Sequence, residues 1–401
     1  MCVAGCGGKP AWLNQNRMSS TSKLAEFAAR VRGAMGAFMG VALPRAGSAP
    51  SFDQLSLELF GLQFEQNSAY RRYCVARKAK PENVGHWTAI PAIPAKAFKE
   101  WNLSCLSRED WTTVFHSSGT TGQQPSRHFH NEASLEVYEA SLLGWFGAHF
   151  RMANGKWQIA DGPEGGHQMA ILTPPPAQAP HSSLVHMFET IRRRLGAGEA
   201  SFVGNVAEDG GWSLKAEAAV GLLGKASGAG QPLLVLGTAF SFVHLLDFLA
   251  ERGLRFALAP GSCALETGGY KGRSRALPKQ ALHTLISQRF GIPGDHVICE
   301  YGMSELSSQA YDWAIGTEFA ARRASRCFRF PPWARVQIIS PETGCEVGDG
   351  ETGLIRIFDL ANVWSVMAIQ TEDLGVRHGD GFTLAGRAVR AEPRGCSLMA
   401  V

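Results

Sequence analysis

The chain predicts an α/β fold with a mainly parallel sheet, joined to a small β subdomain. Two observations carry this. Between residues 233 and 299 short apolar runs alternate with helical patterns, the sequence form of a parallel sheet with crossover helices. After Arg335 the texture changes to short β segments separated by turns. Composition agrees: 401 residues, 45% hydrophobic and 18% charged, suit a globular chain with a large core in two or three lobes, and disorder across the body is excluded.

The elements follow in order. Residues 1–20 read as a disordered tail without the basic start and apolar middle of a signal peptide, and Met18 offers a second start. From 51 to 79, Leu55, Leu57, Phe60, Leu62 and Phe64 recur at helical spacing and predict one or two helices. Pro91, Pro94 and residues 95–98 mark an extended connector, and 111–115 is strand-like. Residues 131–150 read as a long helix capped by Asn131, and 169–173 as a buried strand stopped by Pro174, Pro175 and Pro176. Strands are then expected at 233–236, 255–258 and 297–299, with helices at 240–252, closed by Gly253, and at 277–290. The subdomain strands are expected at 336–339, 354–358, 363–369 and 382–385. The chain thus divides into an α/β core over 21–334, the β subdomain over 335–388 and a short mobile tail over 389–401 that carries Cys396.

Charge and cysteines bound the function. A net charge of +4 gives no argument for nucleic acid, and Arg192, Arg193 and Arg194 read as a solvated helix end, where cations favour the dipole. No apolar run reaches bilayer length. Nine cysteines without a CxxC pair indicate a reduced, cytoplasmic chain.

Several loops carry chemistry. His116-Ser117-Ser118-Gly119-Thr120-Thr121-Gly122 packs four hydroxyls and two glycines into seven positions after a strand. Hydroxyls donate to phosphate oxygens and glycines let main-chain N–H groups approach, although such residues are also ordinary turn material. A second loop follows the strand expected at 255–258: Glu266, Thr267, Gly268, Gly269, Tyr270, Lys271, Gly272 and Arg273 suit a flat base or a phosphate, or simply an exposed loop. Glu300-Tyr301-Gly302-Met303-Ser304-Glu305-Leu306 reads as a strand-to-helix turn whose aromatic can stack a purine and whose Glu305 can hold Mg²⁺. Residues 370–375 read as a turn projecting Asp373, a carboxylate able to accept both ribose hydroxyls, and Gly386-Arg387 comes next.

Taken together, these motifs resemble the serial core motifs of the adenylate-forming (ANL) superfamily over residues 116–387. Tyr301 to Gln309, Thr371 to Gly375 and the terminal Arg394-Gly395-Cys396-Ser397 are similar to acyl-protein synthetases, the long-chain-fatty-acid–protein ligases of the bacterial bioluminescence fatty-acid reductase complex. The resemblance implies an ANL-type large N-terminal domain. Only 14 residues follow Arg387, so the C-terminal swinging domain and its lysine are expected to be absent. It implies ATP and Mg²⁺ as cofactors, with Ser117, Ser118, Gly119, Thr120, Thr121 and Gly122 around the phosphates. Gly268, Gly269, Tyr301, Gly302, Met303 and Ser304 would face the nucleotide, with Tyr301 against adenine. Asp373 would take the ribose, Arg387 the domain edge and Glu305 the metal. Lys271, with Arg273 and His116 as competitors, would neutralise the α-phosphate.

The implied reaction is activation of a fatty acid to acyl-AMP, followed by transfer to Cys396 as a thioester. Delivery to a partner acyl reductase follows, since no dinucleotide-binding Gly-x-Gly-x-x-Gly stands after a strand here. Two other readings stay open: adenylation of an aryl or small carboxylic acid, and an inactive nucleotide-binding scaffold. Trp145, Phe146 and Phe150 supply bulk that a fatty-acid channel would need.

Overall fold

The computed structural model describes residues 11–38, 51–117, 124–150, 168–269, 274–315 and 326–388. Helix α1 (Ala11–Phe38) begins within the stretch assigned to a tail. Helix α2 (Phe52–Gln66) starts from a capping box between Ser51 and Gln54, and α3 (Ser68–Ala76) from Asn67, whose side chain accepts the Tyr70 N–H. The proline-marked connector is not merely extended. Its centre is strand β1 (Ile93–Pro94), and α4 (Ala97–Glu100) follows it.

Strands β2 (Thr113–His116) and β3 (Arg127–His130) form an antiparallel hairpin, with His116 opposite Arg127. Helix α5 (Glu132–His149) begins where Asn131 places its N-cap: the Asn131 side chain accepts from the Ser134 amide, and the Ser134 hydroxyl takes the Asn131 N–H. Next come β4 (Gln168–Ile171), α6 (Ser183–Arg194), β5 (Gly204–Val206), β6 (Trp212–Leu214), α7 (Ala216–Ala229), β7 (Leu233–Thr238) and α8 (Ala239–Glu251). Gly253 lies just past α8 at φ +65°. The basic triplet ends α6 as expected, and Arg192 pairs with Glu189 at 2.7 Å.

The strand expected at 255–258 does not form. Phe256 and Leu258 donate their N–H groups to the carbonyls of Arg289 and Phe290, bracing a helix end instead of joining a sheet. The sheet strand is β8 (Cys263–Thr267), buried along its whole length, so Glu266 and Thr267 belong to it and not to the following loop. After α9 (Lys279–Phe290), β9 (Val297–Tyr301) runs through Tyr301. No helix follows, contrary to the strand-to-helix expectation; the chain turns and returns as β10 (Ala310–Tyr311), antiparallel to β9.

The central sheet has the order β10-β9-β8-β7-β4 and is parallel from β4 to β9. A second sheet holds β11 (Ala334–Ile339), β12 (Thr352–Asp359), β13 (Ala368–His378) and β14 (Gly381–Arg387), with β1 pairing parallel to β13. Two expectations fail here. The apolar run 363–367 is not strand but part of a buried loop between β12 and β13, closed by the Asp359 N–H to the Met367 carbonyl at 2.8 Å. Residues 370–375 are not a turn; they lie inside β13.

Two cores result. One lies between the outer face of the central sheet and α7, α8 and α9, with Leu245, Ile286 and Phe290 at its heart. The larger one joins α1, α2 and α5 to both sheets through Phe27, Phe60, Phe146, Tyr311, Ile357 and Trp364. The β subdomain therefore shares its core with the N-terminal helices.

Candidate functional site

The site forms where β2, β9 and β14 end and β3 begins, against the middle of β13. Residues 118–123, and with them Ser118, Gly119, Thr120, Thr121 and Gly122, lie outside the described residues, but both ends of their loop are held. Ser117 donates its N–H to the Ser126 carbonyl at 3.4 Å, and the Ser126 N–H returns a bond to Ser117 Oγ at 3.0 Å. Ser126 Oγ lies 3.4 Å from Ser304 Oγ. His128, two positions along β3, donates from Nδ1 to the Ser304 carbonyl at 2.9 Å. Burial pushes the His128 imidazole down to about 4, so it stays neutral and keeps that donor. The hydroxyl loop is thereby rooted on the Tyr301–Glu305 segment.

His116 stacks on His181, ring centroids 4.7 Å apart. Burial lowers its pKa, and the nearby His181 and Arg127 add to that, so without an anion it is a neutral imidazole at pH 7. Lys271 and Arg273 lie outside the described residues, as does Cys396. Gly268 (φ +71°) and Gly269 follow β8 directly, with open space around both.

Tyr301 ends β9 with its ring against the edge of Phe382 (centroids 5.3 Å, 85°) and its hydroxyl donated to Asp373 Oδ2 at 3.0 Å. Burial and the Asp373 charge raise the Tyr301 pKa well above the phenol range, so it remains a donor. Asp373 Oδ1 accepts from Arg387 Nε at 2.9 Å, the two residues standing opposite each other on β13 and β14. That contact raises the Arg387 pKa further. Three motifs far apart in sequence thus meet in one hydrogen-bonded chain.

Glu305 is buried, and its Oε2 accepts the Ser304 hydroxyl at 3.1 Å. Burial raises its pKa, while hydrogen bonds from Ser126 and Ser304 oppose that. Among the described residues no group of three or more His, Cys, Asp or Glu could hold a metal ion. A Mg²⁺ carried on a triphosphate needs only one or two protein carboxylates, so a single oriented Glu305 at the root of the loop fits that mode. Met303 packs half-buried against the large core. Gly302 leaves room for the Glu300 carboxyl: a Cβ there would lie 2.2 Å from Glu300 Oε1 and push that group aside.

Four residues to which the sequence assigned no role of their own hold this arrangement. Ser126 and His128 do so through contacts across the fold. Thr267 and Glu300 stand opposite each other on β8 and β9, and the Thr267 hydroxyl donates to Glu300 Oε2. Burial moves the Glu300 carboxyl from 4.5 to about 7. Their signal was position: polar residues ending apolar parallel strands, where ligands gather in α/β folds. On the opposite face, Glu266 meets His283 at 3.2 Å, and Asp312 meets Lys279 and Arg326 at 3.1 and 3.2 Å.

Four of the described cysteines are poor nucleophiles. Burial pushes the Cys74 thiol to about 11 and Cys263 to about 12, and raises Cys105 and Cys299 as well. Cys345 is exposed on a turn of the second sheet. Trp145, Phe146 and Phe150 are all buried: Phe146 stacks on Phe150 at 4.2 Å, and Trp145 packs edge-on against Trp333. They fill core rather than line a channel. Among the described residues no helix is long and apolar enough to cross a membrane.

No family model matches the chain. Over 328 residues it is 24% identical to the long-chain-fatty-acid–luciferin-component ligase of Aliivibrio fischeri, spanning 81% of this chain and 78% of that protein. Among solved structures, its fold is similar to 2-hydroxyisobutyryl-CoA ligase in an open conformation with 2-HIB-AMP and CoA (TM-score 0.57, 14% identity, 86% of this chain and 79% of that one). The same ligase in its postadenylation state gives TM-score 0.58 at 14% identity, over 86% of this chain and 69% of that one. The expected α/β fold with parallel sheet and small β subdomain is borne out, and so is the resemblance: the chain is similar to a long-chain-fatty-acid–luciferin-component ligase.

Proposed function

We propose that the protein is a cytoplasmic ATP-dependent ligase that activates a carboxylic acid, foremost a long-chain fatty acid, and then carries the acyl group on Cys396 to a partner reductase. The observation that carries this reading is the meeting of Tyr301, Asp373 and Arg387 beside a Glu305 tied through Ser304 and Ser126 to the hydroxyl loop. The long-chain fatty acid in the name of the Aliivibrio fischeri relative supports the choice of substrate.

In the first step a substrate carboxylate oxygen attacks the α-phosphorus of ATP, the bond to the bridging oxygen breaks, and pyrophosphate leaves. The protein contributes position and charge rather than covalent chemistry. Ser117 and the hydroxyls at 118, 120 and 121 donate to the phosphates, with Gly119, Gly122, Gly268 and Gly269 leaving room for close approach. The ribose hydroxyls bond to Asp373, exchanging with the largely exposed Arg387. Glu305 would hold a Mg²⁺, which would supply charge to offset the triphosphate. His116 and Lys271 would neutralise the α-phosphate, since an anion beside His116 would raise its pKa toward the cation.

In the second step the Cys396 thiolate attacks the acyl carbon, the acyl–oxygen bond breaks, and AMP leaves. Arg394, two positions before Cys396 in the sequence, would favour the thiolate over the thiol if the two lie close when the acyl group is transferred. The inertness of the buried thiols supports a tail cysteine as acceptor. Labelled fatty acid with ATP is expected to leave a hydroxylamine-sensitive label on the wild type and none on Cys396→Ser. Equal labelling of the variant rejects the acceptor.

The close packing of Trp145, Phe146 and Phe150 favours a second reading, activation of an aryl or small acid. ATP–pyrophosphate exchange across acids from acetate to palmitate separates the two, since the fatty-acid reading requires exchange to rise with chain length.

A further inference from the structure

The buried loop between β12 and β13 lies against the turn that carries Glu305, and the proposed chemistry makes no use of it. Asp359 accepts the N–H groups of Ser307 (3.0 Å), Ser308 (2.8 Å) and Ala361 (3.0 Å), together with the Ser308 hydroxyl at 2.7 Å. Asn362 is 1% exposed. Its Nδ2 donates to the Glu305 carbonyl at 2.9 Å and to the Val366 carbonyl at 3.1 Å, while its Oδ1 accepts the Ser307 hydroxyl at 2.6 Å. Two carbonyls on one side of the amide and a hydroxyl on the other fix its orientation and use both of its N–H donors. Gln63 of α2 anchors the same loop from behind, donating to the carbonyls of Asn362 and Val363 and accepting the Met367 N–H at 3.0 Å.

The turn is therefore clamped from two sides. His128 holds the Ser304 carbonyl from the hydroxyl-loop hairpin, and Asn362 holds the Glu305 carbonyl from the second sheet. We infer that Asn362 is a positioning residue for Glu305, fixing the main chain from which its carboxylate reaches a Mg²⁺ on the bound triphosphate. This rests on Glu305 being the metal-facing carboxylate. Groups that orient a metal ligand without touching the metal typically change affinity by about 10- to 100-fold when removed. Loss of the Asn362 amide would also leave a buried carbonyl unpaired, so the turn would relax toward other partners.

The test is ATP binding by calorimetry over a series of Mg²⁺ concentrations, with thermal melting of each variant alongside. Asn362→Ala is expected to raise the half-saturating Mg²⁺ about tenfold while leaving metal-free ATP binding unchanged. Gln63→Ala loosens the loop from α2 without touching the turn, and is expected to lower the melting temperature with the Mg²⁺ midpoint unmoved. An unshifted midpoint in Asn362→Ala, or an equal shift in Gln63→Ala, overturns the assignment. Should Asn362→Ala fail to fold, Ser307→Ala removes only the hydroxyl on Asn362 Oδ1; a shift in the same direction supports the inference and an unmoved midpoint overturns it. Glu305→Gln separates the two levels, because wild-type Mg²⁺ dependence in that variant rejects Glu305 as the metal ligand whatever Asn362 does.

Discussion

Glu300 holds a carboxyl where water does not reach, and its burial has a measurable sign. The folded-state value, about 7, lies above the ordinary 4.5, so the folded protein prefers the protonated acid. The resulting stabilisation is complete below pH 4.5 and lost as pH rises through about 7, amounting to about 3 kcal/mol over that window. Glu300→Gln removes the titration: melting temperatures from pH 4.5 to 8 are expected to fall more steeply for wild type than for the variant, and parallel curves refute the shift. At the neighbouring contact, Tyr301→Phe leaves Asp373 Oδ2 without its donor and is expected to cost about 1–2 kcal/mol. Arg387→Ala costs less than about 1 kcal/mol, because that pair is exposed on the arginine side, 77% open. Urea denaturation of the two variants gives the order. The sequence singled out Tyr301, Asp373 and Arg387 one motif at a time, and the structure joins them in one hydrogen-bonded chain. Ser126, His128 and Asn362 were not legible, since their contacts to the Ser304–Glu305 turn come from elements distant in sequence, and nothing in the local sequence signals those contacts.

At the scale of elements, the helices were read well where caps declare them, as at Asn131 and Gly253. Strands were misread wherever an apolar, β-rich run serves another purpose. Phe256 and Leu258 donate to the last turn of α9. That arrangement depends on Gly291, which closes α9 at φ +68° and would place a Cβ 2.8 Å from the Phe256 carbonyl. Gly291→Ala is expected to cost about 1–3 kcal/mol from strain and clash. Gly210→Ala, also at positive φ but with nothing nearby, should cost only the conformational part. Equal losses in chemical denaturation would remove the clash from the account. Gly375 misled in the opposite direction. It reads as a turn residue, yet it sits at a register shift in β13, where a Cβ would meet Ile355 and Ile338 at 3.0 and 3.1 Å.

At the scale of the molecule, the alternation of strands and helices predicted the parallel sheet, and the change of texture after Arg335 predicted the second one. What no local pattern announced is that β1 belongs to that second sheet and that α1, α2 and α5 share its core. A division at 334 would cut through this shared core, so unfolding followed by tryptophan fluorescence and by far-ultraviolet dichroism is expected to give coincident transitions. Two separated transitions would mark independent lobes. The bond from Gln63 to Asn362 joins positions 299 apart. During synthesis, the side chain of Gln63 and the backbone of Ile93 thus emerge long before anything exists for them to bind. Closing such distant contacts is slow and leaves apolar helix faces open in the meantime. The face of α2 that carries Gln63 therefore stays uncovered until the loop before β13 has been made.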